Sequence, residues 1–314
     1  MEKSLPEVKG GITMKLGYFP GCSLKGMARA YDESTKIVAE GFGIELMEID
    51  DFNCCGALEA KGSNEKLSYM LPARVMDSAK GRFHVDAVVT PCNGCYHSLL
   101  RTNAAMNENA NAKSDVISFL KDVGYGSYEG DIDVRHFLEL FYNEVGPEKV
   151  KNAVKKSLKG LKVASYYGCL YERPKTITKT GYKSNRDDSE NPYFQDELLA
   201  ATGAEIVKFD AAASCCGGAH ALQDESLSAT LSATILSAAK KAGADILALP
   251  CPLCGAALDI KQPEIVKVHG NDAKIPVVYF TQLIGLSMGK SAKDLKLTDP
   301  ISNPMDVLKS KGLV

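Results

Sequence analysis

The sequence predicts an α/β protein of two pseudo-symmetric halves, each a mostly parallel sheet flanked by helices. Three observations carry this. Strand-like apolar runs recur in the same order twice along the chain, and helix-length stretches separate them. Ten cysteines fall into two sets of five with nearly one spacing, Cys-x31-Cys-Cys-x36-Cys-x2-Cys and Cys-x45-Cys-Cys-x34-Cys-x2-Cys. The 314 residues, 45% of them apolar, are enough for two domains with their own cores.

After residues 1–13, read as an N-terminal extension, the first half (14–155) opens with Lys15-Leu16-Gly17-Tyr18-Phe19-Pro20-Gly21-Cys22. The second half (156–286) repeats it as Lys162-Val163-Ala164-Ser165-Tyr166-Tyr167-Gly168-Cys169. Both deliver Gly-Cys off the end of a strand. Next, Ile44–Ile49 leads to Cys54-Cys55-Gly56, and Glu205–Phe209 leads to Cys215-Cys216-Gly217. The third pair sets Asp86–Pro91 before Cys92 against Asp245–Pro250 before Cys251, and the fourth, 133–137 and 276–280, carries no cysteine. Among the helical stretches, Asp224–Lys241 places Leu227, Leu231 and Ile235 every four residues behind a capping aspartate. Its counterpart Ser63–Lys80 contains Pro72 and is expected to kink or break there. The halves differ by insertions at Asn103–Gly130 and Arg173–Pro192. The polar tail, 287–314, is expected to lie over the surface, dock on another protein or fray. In this arrangement every cysteine set falls beyond the carboxyl ends of the strands, the edge where open α/β sheets bind ligands.

Lys plus Arg (37) nearly balances Asp plus Glu (39), and the net charge of −2 gives no electrostatic reason for a nucleic-acid or membrane-surface partner. Met1–Gly10 has no apolar core, so it does not read as a secretory signal. The longest apolar run, Ile246–Leu258, is too short for a membrane span. The expectation is a cytoplasmic protein. There thiols stay reduced, and clustered cysteines more often hold metal than form disulfides.

Thiolates suit zinc, copper(I) and iron–sulfur clusters. Five per half exceed the four that one tetrahedral zinc takes. Adjacent cysteines strain to grip a single ion but reach different metals of a polynuclear centre, which favours iron–sulfur over zinc. These grounds leave the cluster's shape open, an ordinary cubane with a spare cysteine included. Gly56 and Gly217 let the backbone turn tightly against a bulky inorganic core, and Pro91 and Pro250 fix the approach to each Cys-x2-Cys. The alternatives are zinc in one or both halves, buried apolar cysteines, or vicinal disulfides.

At these residues the chain resembles the cysteine-rich CCG domain family, and with two such domains it looks like the B subunits of heterodisulfide reductases. Cys92-Asn93-Gly94-Cys95, Cys251-Pro252-Leu253-Cys254 and Cys216-Gly217-Gly218-Ala219-His220 carry the likeness, which covers residues 14 to 286. It implies two CCG domains, each holding a noncubane 4Fe–4S cluster with one bridging cysteine. The ligands would be Cys22, Cys54, Cys55, Cys92 and Cys95 in the first, and Cys169, Cys215, Cys216, Cys251 and Cys254 in the second. The family's reaction is reduction of the coenzyme M–coenzyme B mixed disulfide to two thiols, the last step of methane formation. The implied partners are subunits C and A, with a hydrogenase or formate dehydrogenase behind them. A disulfide takes two electrons and a cluster passes one, so two facing clusters give the duplication a purpose.

Such a disulfide carries sulfonate, phosphate and carboxylate groups, which call for local cations. Candidates are Lys25 and, in the second insertion, Arg173 with Lys175, Lys179, Lys183 and Arg186, unless that insertion is simply solvated surface. His97 and His220 lie near cluster cysteines as proton donors or as structural histidines, and His84, His136 and His269 receive no function. The chain has no dense ferredoxin-type cysteine run, and Gly41-Phe42-Gly43 lacks the third glycine of a dinucleotide fingerprint. Electrons therefore come from a partner. The rival readings are an electron-transfer or quinone-linked subunit in a non-methanogen, and a zinc-binding structural subunit.

Overall fold

Among the described residues, eight short strands form two four-stranded sheets with one topology. The structure, a computed structural model, describes residues 14–57, 59–172 and 187–314. In the first sheet β1 (Met14–Tyr18), β2 (Ile44–Glu48), β3 (Ala87–Thr90) and β4 (Asp133–His136) lie in the order β2-β1-β3-β4. In the second, β5 (Lys162–Ser165), β6 (Glu205–Ile206), β7 (Ile246–Leu249) and β8 (Val277–Tyr279) lie in the order β6-β5-β7-β8. Every pairing is parallel. The inner strands β3 and β7 read Ala-Val-Val-Thr and Ile-Leu-Ala-Leu, the near-continuous apolar runs that a strand covered on both faces needs.

Strand order places the site. The chain leaves β1 to one side for β2, then crosses back past β1 to lay down β3, so its direction of winding reverses between β1 and β3. Ligands of open α/β sheets bind in the crevice beyond the strand ends at such a switch point. Cys22 follows β1 and Cys92 follows β3; Cys169 follows β5 and Cys251 follows β7.

One hydrophobic core runs through both halves. Helix Arg29–Gly41 of the first packs on helix Phe280–Ser287 of the second. At that seam Tyr31 stacks on Tyr279 with ring centroids 4.2 Å apart, and the Ser34 and Thr281 hydroxyls meet at 2.7 Å. Tyr142 stacks on Phe194 at 3.8 Å.

Three expectations are corrected. Helix Leu67–Gly81 runs unbroken through Pro72. Proline has no N–H for the Ser68 carbonyl one turn back, and the Arg101 guanidinium donates to that carbonyl instead, at 3.2 Å. In helix Glu225–Lys241 the capping of the Leu227 N–H by Asp224 stands, at 2.9 Å, but Leu227 itself is 42% exposed. Ile235 is buried, and the rest of the buried face is Ser228, Ser232, Ala233, Leu236 and Ala239. The tail is neither frayed nor loose. Leu295, Leu297, Leu308 and Leu313 are buried, and Asp259 accepts from the Ile301 and Ser302 amides at 3.0 and 2.8 Å.

Candidate metal centre

Local backbone form presents each sulfur. Cys92 is extended (φ −114°, ψ 120°) and precedes helix Asn93–Glu108, which puts Cys95 in the first turn; Cys251 (φ −142°, ψ 125°) does the same before helix Pro252–Gly255. Both pairs thus sit at a helix N-terminus. Gly21 and Gly168 sit at φ +67° and +79° because nothing larger fits: a Cβ at Gly21 would lie 2.8 Å from Cys95 Sγ, and one at Gly168 3.3 Å from Cys254 Sγ. Gly56 and Gly217 also take left-handed turns, at φ +65° and +76°. Their amides donate to Cys54 Sγ and Cys215 Sγ, both at 3.4 Å, and the Gly218 amide donates to Cys216 Sγ at 3.4 Å. A buried serine holds the carbonyl of each pair's second cysteine, Ser98 on Cys55 and Ser232 on Cys216, both at 2.8 Å.

None of the ten cysteines is in a disulfide, and eight of them, from Cys22 to Cys216, form one chain of contacts. Cys22 meets Cys54, Cys54 meets Cys55, Cys55 meets Cys95, and Cys95 meets Cys92. Cys92 then meets Cys251 across the halves. From there Cys251 meets Cys254, Cys254 Sγ lies 3.5 Å from Cys216 Sγ, and Cys169 meets Cys215. The middle of the chain is buried, while Cys22 and Cys54 are exposed and Cys169 and Cys215 half-buried. Hydrogen bonds from Cys54 and then Cys95 hold the Cys55 thiol well below its ordinary range, and Cys251 and then Cys95 do so for Cys92. Burial first pushes Cys251 up to about 12, and the hydrogen bond to Cys215 raises Cys169. A thiophilic metal centre replaces thiol protons on binding. Among the described residues no three Cys, His, Asp or Glu side chains converge on a point that would hold a single ion. The buried sulfurs, the amides aimed at them and the cradles that a Cβ would fill fit an extended thiolate-held centre.

Two residues that the sequence did not flag brace the site across the seam. Tyr31 of the first half donates its hydroxyl to the Pro250 carbonyl at 2.9 Å, just before Cys251. Asn93, just after Cys92, donates to the Tyr167 carbonyl at 2.8 Å, two residues before Cys169. The first half thereby holds two cysteine loops of the second. Asn93 carried a signal, being inside a Cys-x2-Cys; Tyr31 carried none.

Of the remaining candidates, Lys25 lies in an ion-pair network with Glu48, Asp32 and Lys36. Arg173, Lys175, Lys179, Lys183 and Arg186 lie outside the described residues. His97 is buried in helix Asn93–Glu108, and His220 ends the short turn Gly218–His220 on the wall of a cleft. That cleft, about 730 Å³, is lined from both halves by residues that touch the cysteine motifs. Ala57 follows Cys55-Gly56, Gly218 follows Cys216-Gly217, and Leu253 lies within the second Cys-x2-Cys. A π-helical turn, Ala256–Ile260, continues directly from Cys254-Gly255 and supplies more of the wall.

The fold and site define a duplicated parallel α/β protein with a cysteine set beyond the strand ends of each sheet. A family model described as a cysteine-rich domain matches residues 16–100 and again 163–259, and the chain belongs to this CCG family. It is 31% identical over 286 residues, 90% of its length and 91% of the relative's, to the B subunit of a ferredoxin/F420H2-dependent CoB–CoM heterodisulfide reductase of Methanosarcina acetivorans. It is 34% identical over 283 residues, 90% of its length and 95% of the relative's, to an 8-methylmenaquinol:fumarate reductase membrane anchor subunit of Wolinella succinogenes. A crystal structure of a hypothetical protein from Helicobacter pylori shares the fold with a TM-score of 0.71 at 15% identity, covering 95% of this chain and 55% of that one. The chain therefore spans about half the length of that protein. No helix among the described residues is long and apolar enough to cross a membrane.

Proposed function

We propose that this chain is the redox subunit of a heterodisulfide-reductase-type complex, with one noncubane 4Fe–4S cluster held by each five-cysteine set and a two-electron substrate bound between them. The observation that carries the reading is the chain of thiols that crosses from one half to the other at Cys92 and Cys251. A row of sulfurs suits a centre with several metals better than one tetrahedral ion. Each cluster, when bound, supplies one electron, and the pair supplies the two that opening a disulfide requires. The chain's own residues do the rest. Gly21 and Gly168 admit the centre, the Gly56, Gly217 and Gly218 amides steady thiolate charge, and Tyr31 and Asn93 lock the two loops together.

On this reading residues 14–155 and 156–286 are the two functional domains, and electrons arrive from partner subunits of the C and A type in the cytoplasm. The test is metal and sulfide analysis of chain purified without oxygen. Two clusters give about eight irons with matching sulfide per chain. One cluster with a zinc gives about four irons and one zinc, and a zinc scaffold gives no sulfide. Iron-free, sulfide-free protein would end the proposal.

A further inference from the structure

The two adjacent cysteine pairs are seated by different means. Cys54 is exposed, so burial does not fix it in place. The residues before it, Asp51-Phe52-Asn53, are gripped from two sides instead. Phe52 meets the ring of Phe19 edge to face, 5.5 Å between centroids. On the other side helix Leu67–Gly81 supplies Arg74, whose guanidinium donates to Asp51 Oδ1 at 2.7 Å and to Asn53 Oδ1 at 3.0 Å. Asn53 Nδ2 in turn donates to the Cys54 carbonyl at 2.7 Å and to the Leu71 carbonyl at 3.0 Å. An unbroken line of hydrogen bonds therefore runs from the guanidinium through one side-chain amide to the backbone of a cysteine.

The fork is itself supported. Asp51 Oδ2 accepts from Tyr125 at 2.9 Å, from Ser78 at 3.2 Å and from Arg82, and the Arg74 guanidinium lies over the Tyr125 ring, 4.9 Å from its centroid. Burial would raise the Asp51 carboxyl, but hydrogen bonds from Arg74, Tyr125 and Arg82 hold it well below the carboxylate range, so the pair stays charged. A planar guanidinium reaches two acceptors in a fixed geometry, which the point charge of a lysine does not. At the matching positions, counted from the first cysteine of each pair, the second half has Ala212, Ser214 and Ile235 for Asp51, Asn53 and Arg74. Ile235 is fully buried, and the Ser214 carbonyl takes the Tyr166 hydroxyl at 2.7 Å.

We propose that Arg74 and Asn53 are positioning residues, a guanidinium fork and an amide relay that set the Cys54-Cys55 pair on its centre, the part that Tyr166 takes in the second half. The inference deepens the cluster reading above and rests on it for the identity of the centre. A charged fork holds the pair where burial does not, which leaves Cys54 open to another molecule without leaving it loose.

The experiment uses anaerobically purified, iron-loaded full-length chain. A pulse of N-ethylmaleimide during chelation, mapped by peptide mass spectrometry, reads how fast each cysteine leaves its centre. Arg74→Met removes the fork; Asn53→Asp still accepts from Arg74 but cannot donate to the Cys54 carbonyl. Each should speed labelling of Cys54 and Cys55 by at least about tenfold, the equivalent of one hydrogen bond to a charged group, and leave Cys215 and Cys216 as they were. Tyr166→Phe should do the reverse. Arg74→Lys keeps an ion pair with Asp51 without the fork. It should recover the urea midpoint that Arg74→Met lowers and still label fast, a split that a merely structural arginine would not produce. Unchanged circular dichroism verifies the fold of each variant. Labelling that stays as in the parent chain, labelling that rises equally on both pairs, or full protection of Cys54 in Arg74→Lys overturns the inference. Any of these in iron-loaded protein defeats this inference alone; protein without iron and sulfide defeats the reading beneath it as well.

Discussion

Replacing Tyr31 by phenylalanine tests whether the first half supports the cysteine loop of the second. Tyr31 lies in a first-half helix, yet its hydroxyl donates to the Pro250 carbonyl at 2.9 Å, one residue before Cys251. Its ring lies nearly parallel to Tyr279, 4.2 Å between centroids, and is fully buried. Burial, and then the neighbouring Cys251, push the phenol pKa well up, so the hydroxyl is a neutral donor throughout the working range. Phenylalanine keeps the stack and strips the Pro250 carbonyl of this donor in a buried place, a loss of about 1–3 kcal/mol. Alanine also removes the ring and leaves a cavity at the seam, for about 3–5 kcal/mol. Urea unfolding of the iron-loaded chain, followed by far-UV circular dichroism, reads both values as midpoint shifts. Because Pro250 sets the direction of Cys251, chelator-driven iron release from Tyr31→Phe should become biphasic, with the second cysteine set emptying first. An unchanged midpoint for Tyr31→Phe, or single-phase release from both sets, would refute the cross-bracing argument.

Three further outcomes are expected. His136 is buried with Nδ1 accepting from the Leu138 amide at 3.2 Å and Nε2 unpaired, and it faces the neutral phenols of Tyr96 and Tyr171 at 5.4 and 4.9 Å. Burial lowers its pKa from 6.5 to about 3. The native imidazole stays neutral while the unfolded one protonates, so stability falls as pH drops from about 6.5 towards about 3, by up to about 1.4 kcal/mol per pH unit. His136→Asn keeps a capping acceptor and should flatten that slope in urea midpoints taken between about pH 7 and about pH 4.5. Arg101→Met should cost about 1–3 kcal/mol by orphaning the buried Ser68 carbonyl, and less in a Pro72→Ala background, where the restored amide takes over that carbonyl. A double-mutant cycle showing no coupling would contradict the account of the unbroken helix. Gly21→Ala and Gly168→Ala force a methyl to within 2.8 Å of Cys95 Sγ and Asn93 Nδ2 respectively, at left-handed φ, and should lower iron and sulfide per chain. Gly126→Ala, which meets nothing within 4 Å, should not.

The features legible in the sequence are those whose signal is local. A strand such as Ile246–Leu249 announces itself by an apolar run closed by Pro-Cys, and its repeat at Ala87–Thr90 gives the pseudo-symmetry without any knowledge of packing. Parallel order follows because helices intervene between strands. What stays hidden depends on partners remote in sequence. Pro72 reads as a breaker because no rule of local sequence says that Arg101, 29 residues on, will take the carbonyl it abandons. The stripe holds at Ile235 and fails at Leu227, beside the Ser228 that packs against Gly217. Tyr31 is an ordinary tyrosine until the fold sets it beneath Pro250. The cleft is hidden most completely, because its walls come from Met27 and Ala57 in one half and from Gly218 to Lys261 in the other.

The duplication explains why the site lies where it does. A single sheet of this topology offers one switch point, with two loops converging beyond the ends of β1 and β3. Five cysteines there can be brought near one another, but one side of the crevice stays open to solvent. Apposing a second copy closes that side with the same elements: Cys92 meets Cys251, Asn93 reaches the loop before Cys169, and Tyr31 reaches the loop before Cys251. The closure is selective. It buries Cys92, Cys95, Cys251 and Cys254 at the seam and leaves Cys22 and Cys54 exposed. A row of sulfurs closed in the middle and open at one end shields its inner members from oxidation, while the exposed end and the adjoining apolar cleft stay within reach of another molecule.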